Sequence, residues 1–208
     1  MSRKKRVWYP GSVFHVMSRG IRRNAIYIDI TDYVMFFECL KRTMSCYEFN
    51  IYALCLMTNH FHLAIGTSDV TLAKIMHKLL HSYSMEFNRK YQYSGHLFES
   101  RYTACLIENV RYFLEVSRYI HLNPVKAKIV KDPAAYEYSS YDLFVHEKPK
   151  NGMISDLLSD IVDTSRILSY FQENSKEQYR MFVEEGTSHI AHEMQIQKEM
   201  NENDLWLP

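Results

Sequence analysis

Apolar and polar positions along residues 13–120 switch period several times, from two to about 3.6 and back. Val13-Phe14-His15-Val16-Met17 alternates weakly and predicts a first strand, followed by a turn-rich basic loop, Ser18–Asn24. Thr31 or Asp32 can cap a helix through Phe36, Phe37, Leu40 and Met44, which Asn50 then breaks. Ile51–Met57 predicts a strong strand with Tyr52, Leu54 and Leu56 on one face. Thr58-Asn59 reads as a tight turn, so that His60–Ile65 folds back as the second arm of a hairpin. Gly66-Thr67-Ser68-Asp69 ends that arm and caps a helix. Its stripe of Leu72, Ile75, Met76, Leu79, Leu80 and Tyr83 runs to about Phe87. Asn88–Ser100 is polar, aromatic and loop-like, and Tyr102–Ile107 predicts a further strand. Glu108 or Asn109 opens a helix through Tyr112, Phe113, Val116, Tyr119 and Ile120, with Pro124 at or near its end. The order β-α-β-β-α-β-α predicts an α+β fold. Its antiparallel sheet carries helices packed on one face, as in the split-βαβ class.

His146–Gly152 (HEKPKNG) has the composition of a linker. It divides the chain into a domain over residues 1–147 and an acidic helical extension over 148–208. Short amphipathic segments there predict helices at Ile154–Ile161, Arg166–Gln172, Lys176–Glu185 and His189–Met200. There is no internal repeat or low-complexity tract.

With 47% hydrophobic and 24% charged residues the chain has an ordinary globular balance. No apolar run is long enough for a membrane span, and no apolar signal segment follows the basic start. Cys39, Cys46, Cys55 and Cys105 show no CxxC spacing and fit buried thiols in a cytoplasmic, reducing setting. A net charge of +1 hides an asymmetry: residues 1–130 carry +9 and residues 131–208 carry −8. The basic part suits a polyanionic partner.

Candidate chemistry sits on the hairpin. Side chains alternate on a strand, so His60 and His62 share one face and Phe61 takes the other. Two imidazoles on a rigid strand form half of a metal clamp, or simply two half-exposed histidines on a polar sheet face. Without nearby cysteines, a nitrogen/oxygen site for Mg²⁺ or Mn²⁺ acting on phosphate is the better match. Tyr119 and Asn123 stand four apart on one helical face, where an amide oxygen could be a third ligand and a phenol could attack phosphorus. Tyr119 equally fits the apolar stripe of its helix. Arg19, Arg22 and Arg23 in the first loop, Lys74 and Lys78 on the second helix and Arg101 are candidate DNA contacts, with Arg3, Lys4, Lys5 and Arg6 at the start. Trp8, Tyr9, Tyr91, Tyr93 and Phe98 could stack on unpaired bases.

Met57-Thr58-Asn59-His60-Phe61-His62-Leu63 resembles the histidine–hydrophobic–histidine signature of HUH single-tyrosine transposases. Arg118-Tyr119-Ile120-His121-Leu122-Asn123-Pro124-Val125-Lys126-Ala127 is similar to the tyrosine helix of their REP-associated branch. Phe14–Gly20, Gly95–Tyr102 and Tyr138–Tyr141 match in the same order, so that the likeness covers about residues 7–145. The resemblance implies a compact ferredoxin- or RRM-like sheet domain. It also implies cleavage and rejoining of single-stranded DNA near hairpins, with a divalent metal and no nucleotide cofactor. His60, His62 and Asn123 would be the metal ligands. Tyr119 would be the nucleophile that forms a 5′-phosphotyrosine and frees a 3′-hydroxyl. The working unit would be a monomer or homodimer. A nucleic-acid-binding module that has lost cleavage, and a phosphoesterase using water, are the alternatives.

Overall fold

The computed structural model describes residues 7–186. The basic start and the His189–Met200 segment lie outside the described residues. Four strands, β1 (Val13–Arg19), β2 (Phe49–Met57), β3 (His60–Thr67) and β4 (Thr103–Ile107), form one antiparallel sheet in the order β2-β3-β1-β4. Helix α1 (Ile30–Met44) links β1 to β2, and α2 (Leu72–Tyr91) links β3 to β4. This is the predicted α+β arrangement, in which the β2–β3 hairpin turns through Thr58-Asn59.

The sheet has two unlike faces. Phe14, Val16, Leu54, Leu56, Phe61, Leu63 and Ile65 share the first, and all are buried. Here α1 and α2 pack as expected; Phe36 of α1 meets Phe61 at a ring separation of 5.1 Å and Tyr83 of α2 at 5.2 Å. Each such large side chain contributes about 1.5–3 kcal/mol when removed from water. The one-face expectation holds for these two helices. Helix α3 (Val110–Lys126) lies on the other face, with Tyr119 against His62 and Phe113 against Tyr52.

Tyr52 is where strand alternation misleads. The β2–β3 register shifts between Ile51 and Ala53, so one residue is bulged. Tyr52 therefore leaves the face of Leu54 and Leu56. It crosses over Gly66, where an added Cβ would come within 2.6 Å of its ring, and reaches Phe113. A side chain at position 66 would close that passage.

Several boundaries also move. Asp29, not Thr31 or Asp32, is the N-cap of α1; it bonds the Thr31 and Asp32 amides, while Asp32 returns a bond to the Asp29 amide. Asn50 lies inside β2. Helix α2 runs a turn beyond Phe87, because Lys90 reaches Asp32 at 2.7 Å and Tyr91 reaches it at 2.8 Å, tying the end of α2 to the start of α1. Pro124 sits in the last turn of α3, where it has no N–H to give to the carbonyl four residues back, and the helix ends two residues later.

After β4 and α3, short helices α4 (Tyr141–Val145), α5 (Met153–Ile161), α6 (Ser165–Leu168) and α7 (Ser175–Glu185) follow. The helix expected over Arg166–Gln172 is only the short α6. Val162 bridges to Ile51 at the edge strand, and α7 packs on α3 and α4.

Candidate metal and nucleophile site

The second face of the sheet carries the candidate site. His60 and His62 stand on β3 with ring centroids 5.1 Å apart. On β1, Met17 pairs with His62 and Arg19 with His60, which brings His15 onto the same face. His15 Nε2 lies 3.1 Å from His62 Nδ1. Sequence pattern alone did not single out His15; its signal is the alternation of β1, which becomes informative only once the β1–β3 register is known.

Each clamp histidine has its Nδ1 engaged. His60 Nδ1 lies 2.7 Å from Asn59 Oδ1, and His62 Nδ1 faces His15. In His62 this leaves Nε2, a buried atom without a hydrogen-bond partner. An orphaned imidazole nitrogen in an interior is what a cation ligand looks like before the cation binds. Burial drives all three imidazoles to the neutral form that ligation requires: His15 and His60 are lowered to about 4, and His62 falls well below its ordinary value, with His15, His60 and Lys126 adding repulsion. Among the described residues no group of three His, Cys, Asp or Glu is placed to hold a metal.

Helix α3 carries the two other candidates, Tyr119 and Asn123. Asn109 caps its start by accepting from the Tyr112 amide at 2.8 Å. The Tyr119 ring stands edge-on to His62 at 5.3 Å and to His15 at 5.6 Å. One turn on, Asn123 donates from Nδ2 to the Tyr119 carbonyl at 2.8 Å. Burial pushes the Tyr119 phenol up to about 12, against a smaller opposing effect of an Asn123 hydrogen bond. Lys126, one further turn along and also not foreseen, holds its ammonium 4.5 Å from the Tyr119 ring centroid. Desolvation lowers Lys126 to about 8, with Arg118 adding repulsion and Glu115 opposing.

The helix is held from behind by a single directed chain of hydrogen bonds. Ser117 Oγ donates to the Leu114 carbonyl, so it accepts from Tyr179 of α7 at 3.0 Å. Tyr179 then accepts from His121 Nδ1 at 2.7 Å, and His121 Nε2 accepts from Ser140 at 2.8 Å. Ser140 accepts from the Leu54 amide of β2 at 3.0 Å. Each hydroxyl both donates and accepts, each ring nitrogen of His121 has one role, and the tyrosine helix is thereby tied to both the sheet and the extension.

The basic candidates scatter. Arg19 ends β1 opposite His60, and its guanidinium pairs with Glu99 at 2.7 Å. Arg22 and Arg23 are exposed in a short 3-10 turn, Ile21–Arg23, with positive φ at 53° and 60°. Arg101 is exposed beside a groove of about 840 Å³ between α2 and residues 95–102. Lys74 and Lys78 lie on α2, the layer covering the opposite face of the sheet from the histidines. Among the aromatics, Tyr9 and Tyr93 are exposed, while Trp8 bonds Thr67 at 3.0 Å.

Residues 10–123, more than half of the chain, match the family model described as "Transposase IS200 like". The chain belongs to this family. Its fold is also that of a solved REP-associated tyrosine transposase bound to a REP hairpin. That likeness has a TM-score of 0.61 and 19% identity, over 74% of this chain and 93% of the other. A candidate transposase from Deinococcus radiodurans R1 is a fainter likeness, with a TM-score of 0.39 and 15% identity over 62% of this chain and 92% of that one. No curated protein matches by sequence. Within the transposase domain, the family match spans the histidine face from the start of β1 to Asn123 and stops before Lys126. Among the described residues of this transposase, no helix is long and apolar enough to cross a membrane.

Proposed function

We propose that this transposase cleaves and rejoins single-stranded DNA beside a hairpin through a covalent bond to Tyr119. The observation that carries the reading is the Tyr119 ring 5.3 Å from His62, whose buried Nε2 lacks a partner. His60, His62 and the amide oxygen of Asn123 would hold a divalent ion such as Mg²⁺ or Mn²⁺. When bound, that ion supplies Lewis-acid polarisation of the scissile phosphate. The histidine strand and the capped helix then set the approach of phenol to phosphorus, which saves the entropy of bringing them together. The phenolic O–P bond forms as the P–O3′ bond breaks. The phenol proton passes to solvent and the departing 3′-oxygen takes one up. Attack of a 3′-hydroxyl on the phosphotyrosine runs the same exchange backwards, so bond energy is conserved and no nucleotide is consumed. Tyr119 faces the histidines of its own chain, which favours action within one subunit. Arg19, Arg22, Arg23 and Arg101 would hold the backbone; Lys74 and Lys78 would reach only DNA that wraps round to α2.

The test is a labelled hairpin oligonucleotide with a single-stranded flank, incubated with Mn²⁺ and run on a denaturing gel. The wild type should give a protein–DNA adduct and Tyr119→Phe none, with hairpin binding retained. Cleavage without an adduct would assign the reaction to water. Binding without cleavage would assign a non-catalytic module.

A further inference from the structure

His60 has two ring nitrogens, and its neighbours decide which of them bears the lone pair. The Asn59 amide nitrogen lies 3.1 Å from the Arg23 carbonyl oxygen, which can only accept. Nitrogen must therefore face Arg23, and the amide oxygen must face away from it. That oxygen lies 2.7 Å from His60 Nδ1. It too can only accept, so Nδ1 carries the hydrogen, and in a neutral imidazole Nε2 is then left with the lone pair.

We infer that Asn59 is a positioning residue that holds His60 in its Nδ1–H tautomer and so opens Nε2 to a cation. Histidine ligands depend on such partners, which set both the tautomer and the ring orientation. Arg23, on the basic loop, thereby acts on the clamp through its backbone rather than its charge. The link is short: loop carbonyl, turn amide, strand imidazole. The turn does not need the Asn59 side chain for its shape. Its backbone carbonyl accepts from the Gly20 amide at 2.9 Å, and Thr58 accepts from the Ile26 amide at 2.9 Å. Asn59 has no positive φ and is half-buried at the hairpin tip, so substitution there leaves the core intact.

The inference rests on the metal reading, and its test separates the two. In metal-free protein labelled with ¹⁵N-histidine, long-range ¹H–¹⁵N spectra of the wild type should show His60 as Nδ1–H. Asn59→Ala should show mixed tautomers and bind Mn²⁺ about tenfold to a hundredfold more weakly by calorimetry. Asn59→Asp keeps an acceptor toward His60 while losing the bond to Arg23, and should retain both the tautomer and tight binding. An Nε2–H tautomer in the wild type would overturn the inference. So would Asn59→Ala with unchanged tautomer and affinity, or equal impairment of both variants, which would put the effect on the Arg23 link alone. A wild type that takes up no Mn²⁺ would remove the metal reading, while the His60 tautomer would still decide the role of Asn59.

Discussion

Tyr119 is held in a state that opposes its proposed chemistry. Burial raises its phenol to about 12, so at neutral pH it is less ionised than a free tyrosine. Within the chain the Asn123 hydrogen bond works against that rise, and the Lys126 ammonium lies 4.5 Å from the ring centroid, where its charge would favour a phenolate. Desolvation lowers that ammonium to about 8, so the two groups titrate in opposition. Raising pH increases the phenolate fraction about tenfold per unit below its pKa. Above about 8 Lys126 sheds its charge and the help is withdrawn. The initial rate of adduct formation should therefore climb with pH and flatten near 8. Lys126→Arg keeps the charge and should let the rise continue, because a guanidinium does not deprotonate in this range. Lys126→Met should lower the rate at pH 7 about tenfold or more and abolish the break. Identical pH profiles for wild type, Arg and Met variants would show that Lys126 has no part in activation.

At the scale of elements, the histidine face works because one bulge, one register and one buried hydrogen-bond chain agree. Alternation and helical period were enough to place β1–β4 and α1–α3, and to put His60 opposite in sense to Phe61. They placed Tyr119 and Asn123 on one face of α3. Tyr52 was not legible, since a bulge is a single extra residue that leaves composition unchanged. His15 was not legible because strand pairing is a long-range fact, and the bond from Lys90 of α2 to the Asp29 cap is likewise one between distant segments. The chain from Ser140 through His121 and Tyr179 to Ser117 was equally hidden, as it joins three separated segments. Breaking it should loosen the tyrosine helix. Tyr179→Phe removes one hydroxyl and leaves His121 Nδ1–H without an acceptor, at a cost of about 1–3 kcal/mol. Urea unfolding should show a lower midpoint with an unchanged slope, and hydrogen exchange should speed up across α3 before β1. Loss of stability with α3 protection unaltered would mean that α7 does not hold the helix.

Across the whole molecule, three buried histidines and the half-buried His60, all held neutral, make acid the weak side of this fold. His15 and His60 are lowered to about 4 and His121 to about 3, chiefly by burial, and His62 lies well below its usual value. An unfolded chain protonates these residues near 6.5. Between about 6.5 and 4 the unfolded state thus binds more protons than the folded one, and stability rises with pH across that window. Their contribution is complete above the unfolded value and is lost as pH falls toward the folded values. Each histidine contributes a slope of up to about 1.4 kcal/mol per pH unit, so four acting together reach on the order of 5 kcal/mol per unit. The Asp29 carboxyl, held well below the carboxylate range mainly by Thr31 and Lys90, matters only at lower pH, since an unfolded aspartate titrates near 4. Histidines therefore dominate the first phase of acid lability. Metal-free protein should lose stability steeply between pH 6.5 and 4.5 in urea titrations. Mn²⁺ should raise the midpoint at pH 7 and lose that effect on acidification, because protons and the cation compete for the same imidazoles. Flat stability from pH 7 to 5 would mean that these histidines titrate alike in the folded and the unfolded chain, and burial would then not be what keeps the proposed clamp neutral.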